Sequence, residues 1–152
     1  MNLYLFDTNI LLHYLRQDTR WNYIQDKFDI SNQLDNTMSV VSWGEIYSLG
    51  LRNHWHTQRM KVIEQLDRHF IVADINVEEI IRTYGTIDSY SQGKLWHNPL
   101  PQGMSARNMG KNDLWIAATA HVLDVTLLTT DNDFDHLQDT FIKIDKVVFP
   151  KS

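Results

Sequence analysis

The chain has 152 residues, 43% of them hydrophobic and 22% charged, so it reads as one soluble globular domain over 1–152 with room for a sizeable core. It has no cysteine, which excludes disulfides, a thiol nucleophile and every cysteine-ligated zinc or iron–sulfur site. Lys plus Arg number 14 against 19 Asp plus Glu, a formal charge of −5, and on bulk charge alone this speaks against a strongly basic nucleic-acid binder.

The N-terminus, Met1 to Asp7, has no basic start and meets an acid after a few apolar residues, so it is no secretory signal. No apolar run approaches the roughly 18–20 residues of a membrane span, and a cytoplasmic protein without membrane contact is expected. Leu3 to Phe6 reads as a buried first strand. A helix follows from Thr8, with Ile10, Leu11, Tyr14 and Leu15 at helical spacing. Trp21 to Leu34 reads as a second helix and Met38 to Val41 as a second strand. Trp43 to Leu51 and Met60 to Leu66 have helical periodicity, with Ile46, Leu49, Ile63 and Leu66 facing inward. Phe70 to Ile75 is a third strand, and Val77 to Tyr90 a helix whose Glu78 and Glu79 suit its positive end.

Ser91 to Gly110 holds Gly93, Pro99, Pro101, Gly103 and Gly110 and reads as a long loop, a kind of segment that is usually functional or disordered. Asn112 to Val122 is a helix and Val125 to Leu128 a strand. Phe134 to Leu137 is a short helical turn, and Phe141 to Phe149 a last strand in two pieces. Strands alternating with helices give an α/β fold, a three-layer α/β/α sandwich with a mainly parallel central sheet. Ligands in such sheets gather at the carboxyl ends of the strands.

Four acids stand at or near such ends: Asp7, Glu45, Asp113 and Asp131. Each also has a purely structural explanation. Asp7 can cap the helix starting at Thr8, and Ser42-Trp43-Gly44-Glu45 reads as a capping box. Asp113 suits the dipole of a first helical turn, and Asp131 can cap the turn after it, in competition with Thr130. Taken together, carboxylates converging on one edge repel each other unless a cation neutralises them. Two or three such groups are what a hard cation such as Mg²⁺ or Mn²⁺ requires, and the matching chemistry is metal-assisted phosphodiester hydrolysis.

Phe6-Asp7-Thr8-Asn9-Ile10, Ser42-Trp43-Gly44-Glu45, Lys111-Asn112-Asp113-Leu114-Trp115-Ile116-Ala117-Ala118 and Thr129-Thr130-Asp131-Asn132-Asp133-Phe134 resemble the PIN domains. In order and spacing the chain is most similar to the VapC-like ribonuclease toxins of bacterial toxin–antitoxin pairs. The resemblance implies a PIN-like sandwich and an acidic quartet, Asp7, Glu45, Asp113 and Asp131, that is catalytic and holds Mg²⁺ or Mn²⁺. It implies supporting roles for Thr8, Asn9, Asn112, Thr129 and Asp133; Asp135 has no clear counterpart and reads as a solvated residue. It also implies an RNA substrate, an antitoxin partner and a homodimer. Ser91 to Gly110 is longer than the link typical of the family and carries Trp96 and His97.

Two windows without acids could meet a phosphate backbone. One, between Ile46 and Ile63, offers Arg52, Arg59 and Lys61 with Trp55, His54 and His56 interleaved, although a solvated basic face explains it as well. The other, between Ser89 and Asn112, offers Lys94, Arg107 and Lys111, with Lys111 two residues from Asp113. Lys111, Arg107 and Arg52 are the candidate RNA contacts. His54-x-His56 has no third zinc ligand nearby, and alternation on a helix would point the pair apart. Tyr14, Leu15, Tyr47 and Leu51 are assigned to the core.

Four other functions compete. A phosphohydrolase with an aspartyl nucleophile wants a second acid two residues after the first, where Asn9 stands. Dinucleotide and phosphate-loop enzymes are disfavoured because the six glycines form neither signature. A catalytically inactive PIN-like module that binds RNA or protein would have lost quartet acids, and all four are present.

Overall fold

Leu5 and Phe6 are completely buried because their strand, β1 (Tyr4–Phe6), occupies the middle of a sheet covered on both sides. The structure is a computed structural model and describes residues 3–32 and 35–151. β1 pairs in parallel with β2 (Thr37–Ser39) on one side and β4 (Thr126–Thr129) on the other. The edge strands β3 (Ile71–Ala73) and β5 (Lys143–Lys146) complete an all-parallel sheet of order β3-β2-β1-β4-β5. Side chains alternate across β1, so Tyr4 and Phe6 serve one core and Leu5 the other.

The Tyr4–Phe6 side is covered by α1 (Thr8–Arg16), α2 (Thr19–Phe28), α3 (Val40–Arg52) and α4 (Thr57–Glu64), which contribute Ile10, Trp21, Ile24, Ile46 and Ile63. The Leu5 side is covered by α5 (Glu78–Ser91) and α6 (Lys111–Leu123) through Ile87, Tyr90, Leu114 and Ala117. The three-layer α/β/α sandwich expected from the alternation is the architecture found. Among the described residues, no helix is long and apolar enough to cross a membrane.

Several boundaries differ from the sequence reading. The second strand stops at Ser39, and Val40 and Val41 open α3 instead. Ser39 Oγ accepts the Val41 N–H at 3.1 Å and turns the chain into the helix, so capping overrides the strand preference of two β-branched residues. α2 ends at Phe28, where Asp29 takes a left-handed conformation (φ 54°). A 3-10 turn, Ile30–Asn32, follows; Leu34, the proposed end of that helix, lies outside the described residues. Leu66 sits in a 3-10 turn beyond α4 rather than in the helix. The last strand is the single β5, flanked by an isolated bridge between Gln138 and Ile142 and a 2.8 Å bond from Val147 N–H to the Thr129 carbonyl.

Tyr47 and Leu51 correct the core assignment: they are 40% and 56% exposed. α3 turns Ile46 and Gly50 inward, which rotates the residue after each of them by about 100° toward solvent. Tyr14 and Leu15 pack against the first core as expected.

Candidate active site

Parallel pairing of β1 with β4 sets Phe6 opposite Leu128, so the next residues, Asp7 and Thr129, emerge together at the carboxyl edge. Asp7 caps α1, its Oδ1 accepting the Thr8 N–H at 2.8 Å. Its other oxygen, Oδ2, accepts the Thr129 hydroxyl at 2.6 Å. The same Thr129 oxygen accepts the Asp131 N–H at 2.9 Å, and Asp131 Oδ1 in turn accepts the Asp133 N–H at 2.9 Å, capping the 3-10 turn Asn132–Leu137. One hydroxyl thus links the carboxylate after β1 to the two after β4.

Glu45 arrives from β2 by way of α3. Its Oε1 lies 3.0 Å from the Thr8 hydroxyl, which is also 2.9 Å from Ser42 Oγ. A carboxylate only accepts, so Thr8 donates to Glu45 and the Ser42 hydroxyl is left to donate to Thr8. The capping box read at Ser42–Glu45 is therefore absent. Ser39 is the cap, Ser42 is buried within the first turn, and Glu45 faces α1 across the sheet edge.

Asp113 stands in the first turn of α6, whose cap Gly110 has no side chain to offer. Asp113, Asp131 and Asp133 each supply an oxygen, and these atoms lie within 4.8 Å of one another. Asp7 and Glu45 share the same electrostatic field. Burial, and then the charges of Asp7, Asp131, Asp133 and Glu45, push Asp113 up to about 7. Burial likewise pushes Asp7 up to about 6 against the opposing bonds from Thr129 and the Thr8 N–H, with Asp131 and Glu45 adding to the rise. Such mutual repulsion marks a place for positive charge, and an all-oxygen donor set fits a hard divalent cation.

The four acids of the sequence reading are gathered, and Asp133 lies beside Asp113 and Asp131. Its signal was the Asp131-x-Asp133 spacing, which puts both at the start of one tight turn. Of the polar companions, Thr8 and Thr129 hold carboxylates, Asn9 is exposed in the first turn of α1, and Asn112 lines a cleft beside Glu45. Lys111 opens α6 with its side chain exposed. Arg107 borders a hollow of about 290 Å³ together with Asp133, and Arg52 lies farther along α3 with its Nε donating to Ser48 Oγ at 3.3 Å. Asp135 is exposed and pairs with Lys146. His54 and His56 sit in the turn between α3 and α4, not on a helix, and His56 Nδ1 accepts the Arg59 N–H as the cap of α4.

Sequence reasoning read Ser42 only as a helix cap rather than as a partner of Thr8, and it missed the pair Ser91–His136. His136 is buried, its Nε2 lies 2.7 Å from Ser91 Oγ, and burial followed by the Arg107 charge lowers it to about 4. Residues 92–110 return to this anchor, where the Arg107 N–H meets the Ser91 carbonyl at 2.8 Å, while Trp96 stands 89% exposed. No motif links Ser91 to His136 in sequence; only the fold brings them together.

Ribonuclease VapC1 of Haemophilus influenzae strain R2866 is 28% identical over 141 residues, 90% of this chain and 93% of that protein. The structure of VapBC-1 from nontypeable Haemophilus influenzae shares 28% identity and a TM-score of 0.68, covering 95% of this chain and 97% of that one. VapBC2 from Rickettsia felis, solved bound to a DNA fragment from its promoter, superposes at a TM-score of 0.71 over 96% of this chain and 99% of that one; at 16% identity it speaks for the fold alone. The PIN domain family model matches residues 4–139, most of the length that carries the sheet and all five gathered acids, and the chain belongs to the PIN domain family.

Proposed function

We propose that the chain, acting as one PIN-like domain over 1–152, is a divalent-metal-dependent endoribonuclease and the toxin of a toxin–antitoxin pair. The observation that carries this reading is the convergence of Asp7, Glu45, Asp113, Asp131 and Asp133, where burial and then the neighbouring charges raise the Asp113 carboxyl to about 7. The similarity to Ribonuclease VapC1 and to VapBC complexes supports the substrate class and the protein partner.

Asp7, Glu45, Asp113 and Asp131 would hold Mg²⁺ or Mn²⁺, with Asp133 beside them. When bound, the cation supplies Lewis-acid polarisation of the phosphodiester and an acidified water. Thr129 and Thr8 fix the carboxylates of Asp7 and Glu45 before substrate arrives, so little reorganisation is left for the reaction. Asn9 and Asn112 offer neutral polar groups at the rim, and Lys111, Arg107 and Arg52 meet the RNA backbone. The partner is an antitoxin, the assembly a homodimer, and the place of action the cytoplasm.

The test uses purified wild type, Asp7→Asn and Asp113→Asn on single-stranded RNA with Mg²⁺, with Mn²⁺ and with chelator. Wild type is expected to cut only with a divalent ion, and both variants to fold and to be inactive. Cleavage retained by both variants, or by wild type in chelator, sinks the reading.

A further inference from the structure

Gly50 and Gly44 lie six residues apart on α3, the first buried and the second exposed. A Cβ on Gly50 would come within 2.5 Å of Met60 Sδ and 3.2 Å of the Trp55 ring, so the chain's own side chains occupy the space above that glycine. A Cβ on Gly44 would meet nothing within 4 Å. Glycine inside a helix is unfavourable compared with alanine, yet no neighbour in the chain needs the space above Gly44.

That space opens into a cleft of about 670 Å³ between α3 and α6, within the range of small-molecule pockets. Glu45 and Asn112 form its border with the carboxylate site, so it begins where the reacting phosphate would lie. Trp115, Leu49 and Ile75 give it an apolar lining. Trp115 is held by Tyr84, with ring centroids 4.3 Å apart. Arg52 lines the cleft seven residues beyond Glu45, roughly 10 Å along the helix axis. The cleft therefore runs from a carboxylate site, over an aromatic and aliphatic surface, to a cation. An unstacked nucleotide has the matching order: reacting phosphate, base, next phosphate.

We propose that this cleft is a base-binding subsite, which takes the unpaired base of one nucleotide flanking the scissile phosphodiester of single-stranded RNA. Gly44 leaves the cleft open, Trp115 carries the base, the Asn112 amide faces the base edge, and Arg52 meets the phosphate beyond. The inference rests on the ribonuclease reading and adds to it a sequence preference at one position.

The test compares short single-stranded RNAs cut by the wild type with the same strands carrying an abasic ribose on either side of the cleavage site. For wild type, kcat/KM is expected to fall about 5- to 100-fold for an abasic ribose on one side only, the range for a base stacked on an aromatic side chain. Gly44→Leu places a side chain in the cleft and narrows it. It is expected to melt at the same or a higher temperature, to lose a similar factor on intact RNA, and to lose nothing further on the abasic strand. Arg52→Gln should raise KM and flatten its dependence on salt, with kcat little changed. Equal cleavage of intact and abasic strands by wild type, or undiminished sensitivity to the abasic ribose in Gly44→Leu, overturns the subsite while leaving the ribonuclease standing. A Gly44→Leu protein with wild-type kinetics and an altered oligomeric state assigns the space to a second copy, and so also overturns it. Absence of any divalent-dependent cleavage by wild type overturns both readings.

Discussion

Neutralising Asp7 is expected to stabilise the metal-free protein at alkaline pH while abolishing its chemistry. Asp7 is 3% exposed and its carboxyl is pushed from 3.8 up to about 6, first by burial and then by Asp131 and Glu45. Below 3.8 the folded and unfolded chains are both protonated there. Between 3.8 and about 6 the folded chain keeps a proton that the unfolded chain releases, so stability falls as pH rises, and above about 6 the penalty is complete. About 2 pH units at about 1.4 kcal/mol each give roughly 3 kcal/mol. In Asp7→Asn the amide oxygen keeps the Thr8 N–H, but its NH₂ group faces Thr129, whose hydroxyl must turn and accept. That rearrangement costs about 1 kcal/mol. The net gain at about pH 8 is therefore about 2 kcal/mol, or about 4–8 °C in melting temperature for a chain of this size. At about pH 4 the wild-type carboxyl is neutral as well, and the gain should vanish. Denaturation in chelator at both pH values reads the difference, and added Mg²⁺ should stabilise wild type more than the variant. A variant no more stable than wild type at about pH 8, or one with the same gain at about pH 4, would refute the account of a repulsive, cation-seeking site.

Two further substitutions probe the frame around that site. Thr129→Val removes the hydroxyl that donates to Asp7 and accepts from the Asp131 N–H, and is expected to cost about 1–3 kcal/mol in chemical denaturation, with Thr129→Ser restoring most of it. Ser39→Ala should lower stability by about 1 kcal/mol through loss of the α3 cap and leave divalent-ion affinity, read by calorimetry, unchanged.

The order of elements was legible because helical and strand periodicities alternate along the whole chain. What was not legible turns on single hydrogen bonds and on rotation about a helix axis. Val40 and Val41 continue the apolar run of β2, and only the Ser39 hydroxyl ends that run by capping a helix. Tyr47 and Leu51 are as apolar as core residues, but they follow the inward-facing Ile46 and Gly50, and one step around α3 leads to solvent. Gly50 carries no hydrophobic signal at all, yet it is the place where Met60 of α4 approaches the backbone.

The acids posed a different difficulty. For each of them a structural role and a functional role were read as competitors, and for Asp7 and Asp131 the cap is itself part of the acidic cluster. Asp7 gives one oxygen to the α1 cap and the other to Thr129, and Asp131 caps the turn that brings Asp133 beside it. Capping sets the direction of these carboxylates, so the local bond and the assembled site are parts of one arrangement. Glu45 shows the converse: its capping-box signature is false, and it meets Thr8 instead. The acidic net charge then loses its force as an argument against RNA. The chain's excess of acids over bases is five, as many as the site gathers, and the other 14 acids balance the 14 Lys and Arg. A cation held there would offset the acidic centre, and the rest of the chain has no net charge with which to repel a polyanion.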